Sequence, residues 1–171
     1  EVLGLDVNRS DGAYSVEVLD DGREAIRLSL AEVRGISEEE VGRIVSCRPF
    51  ASIADFWHRT GVSRPVVERL VLAAAFDALH GIGRLARGGR LTHRDLLLAI
   101  ADLDRWSDAR GGQLALDVGQ DGVVPTGLPP LTDEERVQAE LEALGLDVTA
   151  HVVEPYLPLF RALGVTPSTR M

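Results

Sequence analysis

The feature that most constrains the fold of this chain is a set of five helix-start signals spread along it. Each signal is a serine or threonine followed three residues later by an acid. At this spacing the hydroxyl can cap the helix by accepting a hydrogen bond from the N–H of the acidic residue, and the acid can accept one from the N–H of the serine or threonine. The five are Ser29-x-x-Glu32, Ser37-x-x-Glu40, Ser52-x-x-Asp55, Thr92-x-x-Asp95 and Thr132-x-x-Glu135. They predict a mainly α-helical chain and locate the starts of most of its helices.

Only the beginning of the chain has a β pattern. Tyr14, Val16 and Val18 alternate with polar residues, and Asp20-Asp21-Gly22 is typical of a turn into a second strand over 25–28. Further along, apolar residues recur at helical spacing over about 64–75 and 93–106. A final helical pair is predicted at about 133–144 and 156–163. The expected fold is therefore mainly α with a small N-terminal β-hairpin.

Composition limits the classes of protein to consider. The chain has 171 residues, of which 45% are hydrophobic, so it can build a core without covalent staples. Its one cysteine, Cys47, excludes an internal disulfide framework and a Cys-rich zinc site and fits a reducing compartment. No apolar run approaches a membrane span, and no leader pattern is present. We expect a cytoplasmic protein with no membrane partner.

The sequence contains no recognisable active site. The four histidines are scattered, and Asp102 and Asp104 stand two residues apart, which cannot place them on one helix face. P-loop, dinucleotide and G-x-S-x-G motifs are all lacking. We therefore expect no catalytic residue, metal site or cofactor in this chain.

A tight corner at Gly35-Ile36-Ser37 is the best candidate for binding. It joins two short helical patterns, and the N–H groups that begin the second helix could bind a phosphate next to Arg34. The alternative is an ordinary helical corner in which Ser37 only caps the next helix. Glu38, Glu39 and Glu40 favour that alternative, because they suit a helix start but repel a phosphate. Spacing leaves both interpretations open.

The second candidate is a basic segment in an acidic chain. The net charge is −9, yet residues 80–112 hold six arginines and four acids. Four of those arginines, Arg84, Arg87, Arg90 and Arg94, precede the first acid of the segment. They could contact several phosphates without reading sequence, or they could line a solvated glycine-rich loop. The sequence does not separate these alternatives.

Taken in order, the motifs of the chain resemble one known family. The series DVNRSDGAYSVE, IRLSLAEVRGIS, RPFASIADFWHRTG, SRPVVERLVLAAAFDAL, GQLALD and ELEALGLDVTAH is similar to the region after the catalytic core of bacterial C-family DNA polymerases, the DNA polymerase III alpha subunits. The ending HVVEPYLPLFRALGV looks more like the error-prone actinobacterial branch. The resemblance implies a tandem helix-hairpin-helix domain that follows the backbone of template-primer duplex.

Individual positions match the family pattern only in part. Gly35 matches the first glycine of the first hairpin, whereas Ser37 replaces the second; in the second hairpin Ala74 stands in for a glycine. Gln113, Leu114 and Leu116 match a sliding-clamp motif, but Asp117 replaces its aromatic anchor, so clamp binding is expected to be weak or absent. The family's magnesium-binding catalytic aspartates lie in an upstream domain.

The resemblance implies a division into four parts. These are a β-hairpin entry segment over 1–28, a tandem helix-hairpin-helix domain over 29–108, a linker over 109–130 and a C-terminal helical segment over 131–171 that leads toward a following domain. The expected function is a non-catalytic, sequence-independent duplex-binding module of a polymerase, and the parent would be a magnesium-dependent nucleotidyltransferase. The alternative is a scaffold that joins polymerase domains or accessory proteins without touching DNA.

Overall fold

A computed structural model describes residues 1–82, 85–86, 89–109, 123–146, 148 and 150–166. The described part is mainly helical, as predicted, with a small sheet at its N-terminal end. Its strands are β1 Val2–Leu3, β2 Ser15–Val18, β3 Glu24–Arg27, β4 Leu85–Ala86 and β5 Gly89–Arg90. Its α-helices are α1 Glu38–Ser46, α2 Ile53–Thr60, α3 Arg64–Leu72, α4 Asp77–His80, α5 His93–Ala109, α6 Asp133–Leu144 and α7 Leu157–Ala162. Two 3-10 turns lie at Leu30–Glu32 and Glu154–Tyr156.

The predicted N-terminal hairpin is present, and a third strand joins it. Strands β2 and β3 pair antiparallel, and β1 adds a parallel pairing on the other side of β3. Ala25 and Arg27 of β3 are buried, and Arg27 forms an ion pair with Glu17 of β2. On the opposite face Val2, Ile26 and Val16 form a row across the three strands, and all three are exposed.

Helices α2, α3 and α5 surround the core, and α6 packs on α3. Phe56 lies between Phe50 and Phe76, with ring centroids 4.9 and 5.1 Å away in edge-to-face geometry. The predicted apolar faces of the helices supply the remaining large buried side chains, among them Leu30, Ile44, Ile53, Val66, Val67, Leu70, Leu96 and Ile100. The core therefore fixes how the two predicted hairpins stand relative to each other.

The first helical pattern of the first hairpin is a single 3-10 turn rather than an α-helix. Ser29 caps it by accepting a hydrogen bond from the Ala31 N–H, but the predicted capping acid points elsewhere. The Glu32 carboxylate instead interacts with the Tyr14 hydroxyl, and this interaction raises the pKa of Tyr14. The chain then turns through Gly35 at a φ of 77° before a helix can grow.

The second hairpin turns between α3 and α4 with the hydrogen bonds of a Schellman motif. The Ala75 N–H donates to the Leu70 carbonyl at 2.9 Å, and the Ala74 N–H donates to the Val71 carbonyl at 3.0 Å. Ala74 has a φ of 60°, the left-handed region that favours glycine. The residue that replaces the family glycine has therefore kept the glycine conformation.

Two segments predicted as connections have local structure where they are described. Strands β4 and β5 form a short antiparallel ladder inside the glycine- and arginine-rich stretch. Within the predicted linker, the Thr126 N–H donates to the Asp95 carboxylate of α5 at 2.9 Å. Over the described ranges, none of the helices has the length and apolar character needed to cross a bilayer.

Candidate nucleic-acid interface

The start of α1 is closed by the capping box that the sequence predicted. The Ser37 N–H donates to Glu40 Oε2 at 2.9 Å, and the Glu40 N–H donates back to Ser37 Oγ at 3.2 Å. Glu40 is buried, whereas Glu38 and Glu39 are exposed. Of the three acids expected to repel a phosphate, Glu40 is therefore hydrogen-bonded inside the protein, and only Glu38 and Glu39 face solvent.

Glu40 also connects the two hairpins. Its second carboxylate oxygen, Oε1, accepts a hydrogen bond of 3.0 Å from the backbone N–H of Ser63, the residue before α3. Burial by itself would raise the pKa of Glu40, but the donors at Ser63 and Ser37 outweigh it and lower the pKa to about 2. The carboxylate is thus held charged at the starts of α1 and α3.

The backbone N–H groups of the first corner are mostly engaged. Arg34 donates to the Ala143 carbonyl at the end of α6 at 2.8 Å, Ile36 donates to Val33 at 3.1 Å, and Ser37 donates to Glu40. Within the described residues, the N–H groups of Gly35, Glu38 and Glu39 donate to no protein acceptor. These three N–H groups are what the corner can offer to a phosphate.

Two guanidinium groups lie beside this corner. Arg69 Nη1 donates to the Arg34 carbonyl at 2.9 Å, and a Cβ built on Gly35 would lie 2.9 Å from that same nitrogen. Glycine is therefore needed at position 35 both for its φ and for the approach of Arg69. Among the ion pairs formed by the described residues, neither Arg34 nor Arg69 has a carboxylate partner.

Sequence reasoning missed Arg69. Its only sequence signal is its place on α3, outside the apolar stripe of Val66, Val67, Leu70 and Val71. That position predicts a surface residue but does not say which neighbour it meets. The contact with residues 34 and 35 requires the tertiary packing of α3 against the first corner.

Arg94 of the predicted basic segment and Arg34 of the first corner contact opposite ends of α6. Arg94 binds both oxygens of Glu135 at 2.9 Å and donates to the Pro129 carbonyl at 3.1 Å. Glu135 and Ala143, the contacts of Arg94 and Arg34, are eight residues apart on α6, or roughly 12 Å along the axis. Arg90 is exposed on β5. Arg84 and Arg87 lie outside the described residues, as do the clamp-like residues Gln113, Leu114 and Leu116.

The second corner is covered rather than open. Ala73, Ala75 and Phe76 are buried, and the N-terminal segment lies over them, with the Val7 N–H donating to the Ala75 carbonyl at 2.9 Å. Its turn N–H groups at Ala74 and Ala75 are used in the Schellman motif. This corner supports the core more directly than it supports a binding surface.

Two closely packed corners, one with an exposed glycine turn and flanking arginines, define a protein of the helix-hairpin-helix class. Residues 1–85 match the family model described as a helix-hairpin-helix motif. An error-prone DNA polymerase of Sinorhizobium medicae is 30% identical over 188 positions, covering 98% of this chain and 16% of the relative. An error-prone DNA polymerase of Cutibacterium acnes is 32% identical, covering 100% and 14% respectively.

Replicative relatives match over the same region. The DNA polymerase III subunit alpha of Aquifex aeolicus is 27% identical over 168 positions, covering 94% of this chain and 12% of the relative. The chain belongs to the helix-hairpin-helix region of the bacterial C-family DNA polymerases. It spans 12 to 16% of the length of these three relatives. Both branches occur among the relatives, so assignment to the error-prone branch stays a prediction.

Proposed function

We propose that this chain contacts the phosphate backbone of duplex DNA, without sequence preference, as a non-catalytic part of a polymerase. The observation that supports it is the Arg69 guanidinium held against the exposed Gly35 turn, together with the Arg34 guanidinium at the adjoining end of α6, against Gly145. In an acidic chain where many arginines pair with carboxylates, these two have no carboxylate partner among the described residues. Phosphate oxygens suit both the guanidinium groups and the open N–H groups of the corner.

The rest of the predicted site extends this proposal. Arg34, Gly35, Ile36 and Ser37 form the corner, and Arg84, Arg87, Arg90 and Arg94 would add phosphate contacts along the duplex. In the polymerase, the region would hold template-primer duplex while magnesium-dependent synthesis proceeds in another domain. A weak or absent interaction with the sliding clamp belongs to the same proposal, because Asp117 replaces the aromatic anchor.

The test is a fluorescence anisotropy titration of a labelled duplex at several salt concentrations. Each phosphate neutralised adds about −0.9 to the slope of log affinity against log salt, so Arg34 and Arg69 together should contribute about −2 to the total slope. Arg34→Ala and Arg69→Ala should each reduce the magnitude of that slope by about one, equally for duplexes of different sequence. Arg69→Lys should keep the slope, because it keeps the charge.

Arg105→Ala is the matched control, since Arg105 is an exposed arginine on α5 whose nearest carboxylate, Asp102, is 3.6 Å away. It removes the same charge from a residue outside the proposed site and should leave the slope unchanged. A flat salt response of the wild-type chain would refute the proposal.

A scaffold that joins polymerase domains without DNA contact is the second candidate. The row of exposed Val2, Ile26 and Val16 across the sheet favours it, since an apolar sheet face in water suits a protein partner. The net charge of −9 also favours it over DNA. Salt-independent behaviour together with loss of domain association in Val16→Asp would support this scaffold instead.

A further inference from the structure

Helix α6 is strongly acidic. Five of its twelve residues are acidic, Asp133, Glu134, Glu135, Glu140 and Glu142, against one arginine. The two ends of this helix contact two of the arginines that the proposed function assigns to DNA. We propose that α6 is an acidic strap in which Glu135 competes with DNA phosphates for Arg94 while the C-terminal end of the helix holds Arg34, an inference that rests on the proposed function.

At the N-terminal end of the strap, the Glu135 carboxylate forms an ion pair with Arg94. Both oxygens of Glu135 accept from Arg94 Nη2 at 2.9 Å, and the Pro129 carbonyl accepts from Nε at 3.1 Å. Both side chains of the pair remain accessible, with exposed fractions of 36% for Arg94 and 47% for Glu135. A phosphate can therefore reach the guanidinium and replace the carboxylate, which presents similar oxygen acceptors.

At the C-terminal end of the strap, the helix backbone contacts Arg34 of the first corner. The Ala143 carbonyl accepts the Arg34 N–H at 2.8 Å, and the guanidinium of Arg34 lies against Gly145. A Cβ built on Gly145 would lie 2.9 Å from Arg34 Nη2. The carbonyl end of a helix carries partial negative charge, so Arg34 stands at the negative pole of α6.

The apolar side of α6 holds the helix in place while Glu135 contacts Arg94. Val137, Ala139, Ala143 and Leu144 are buried, and the helix packs on α3. Competition with DNA therefore does not require the helix to unfold. It requires Glu135 to leave Arg94, and an exposed ion pair of this kind is weak enough to exchange with a phosphate.

The experiment compares Glu135→Gln with Glu142→Gln in the full chain, using the labelled duplex and anisotropy. Each variant removes one negative charge from α6. Glu142 is exposed and hydrogen-bonds Gln138 of the same helix, so it serves as the matched control. Glutamine can also replace the acid of the capping box at Thr132, and circular dichroism checks that the helix is kept.

We expect Glu135→Gln to tighten duplex binding about two- to fivefold beyond Glu142→Gln, and to steepen the salt slope by about one as Arg94 becomes available. Adding Arg94→Ala to Glu135→Gln should abolish that extra gain. An equal gain in both single variants, or a gain that survives Arg94→Ala, would overturn the strap while leaving the proposed function intact. No salt-dependent binding by the wild type or by either variant would overturn both.

Discussion

The first hairpin turns at Gly35 in an exposed position, with Arg69 held against the glycine, whereas the second turns at Ala74 beneath the N-terminal segment. Both turns place their central residue at positive φ, 77° and 60° respectively. At Gly35 a side chain would also meet a neighbouring cation, but at Ala74 the methyl group is accommodated at the cost of backbone strain alone. The comparison teaches that a positive-φ turn can serve a surface at one corner and core packing at the other.

The substitution with the largest expected effect removes the carboxylate of Glu40, the side chain that links the two hairpins. Glu40→Ala removes the acceptor for the N–H groups of Ser37 and Ser63, which begin α1 and α3. We expect the free energy of unfolding to fall by about 2–3 kcal/mol, measured by urea denaturation, since each unsatisfied or uncapped donor costs about 1 kcal/mol or more. Glu39→Ala is the control: Glu39 is exposed and pairs with Arg43, and its loss should cost under about 0.5 kcal/mol.

The same carboxylate predicts a pH dependence. The pKa of Glu40 is lowered from 4.5 to about 2, so the folded protein binds fewer protons there than the unfolded chain. The stabilisation of the fold by the Glu40 carboxylate is fully present above pH 4.5 and is lost as the pH falls toward 2. Glu40→Ala should therefore flatten the acid limb of stability against pH. An unchanged acid limb would show that Glu40 does not link the hairpins.

The next effect concerns the exposed glycine. Gly35→Ala adds a Cβ 2.9 Å from Arg69 Nη1 at a φ of 77°. We expect a loss of about 1–2 kcal/mol in urea denaturation, from the left-handed backbone and from displacement of Arg69. Gly42→Ala, in the middle of α1 with nothing within 4 Å of the added methyl, should instead stabilise by about 0.5–1 kcal/mol. Equal effects at the two glycines would remove the special role of position 35.

Substitution at the second corner should have the opposite sign. Ala74→Gly relieves a left-handed alanine, worth about 1–2 kcal/mol, and adds about 0.5–1 kcal/mol of chain entropy cost. The net result should be a stabilisation of about 0.5 kcal/mol, seen as a higher urea midpoint. Ala75→Gly, at a buried position without positive φ, should be destabilising. Destabilisation by Ala74→Gly would mean that its methyl contributes more by packing than it costs in strain.

Local signals were sufficient to predict much of the fold. The hydroxyl-to-acid spacings located the starts of α1, α2, α5 and α6, because capping depends on residues three apart. The matching signal at Ser29 gave only a 3-10 turn, because the chain turns through Gly35 at positive φ before an α-helix can form. The same limit applies to the site. The second partners of the capping acids, Ser63 for Glu40 and Arg94 for Glu135, come from distant parts of the chain.

The candidate site was predictable to a similar extent. The turn at Gly35 and the glycine-like role of Ala74 follow from local sequence and from the family resemblance, and both positions have positive φ. The contact of Arg69 with residue 34, and the docking of α6 on Arg34 through Ala143, depend on how helices pack. No spacing along the chain encodes those contacts.

The smallest effect should be a titration at the second hairpin. His80 ends α4, and its Nε2 accepts a hydrogen bond of 3.1 Å from the Ile53 N–H at the start of α2, which only the neutral ring can do. Burial lowers the pKa of His80, although nearby Asp77 acts in the opposite direction. The unfolded chain therefore takes up a proton more readily than the folded protein. The stabilising contribution of neutral His80 is therefore fully present above about pH 6.5 and is lost as the pH falls below that value.

Urea midpoints measured at about pH 7.5 and about pH 5.5 test this. The wild type should be less stable at the lower pH, by a smaller amount than the gain expected from Ala74→Gly. His80→Gln should reduce that difference, because an amide oxygen can still accept from Ile53 but does not titrate. His58→Gln, at an exposed position on α2, should leave the difference unchanged. If His58→Gln and His80→Gln changed it equally, the second hairpin would hold no half-buried neutral histidine, and its contrast with the solvent-facing first corner would be weaker.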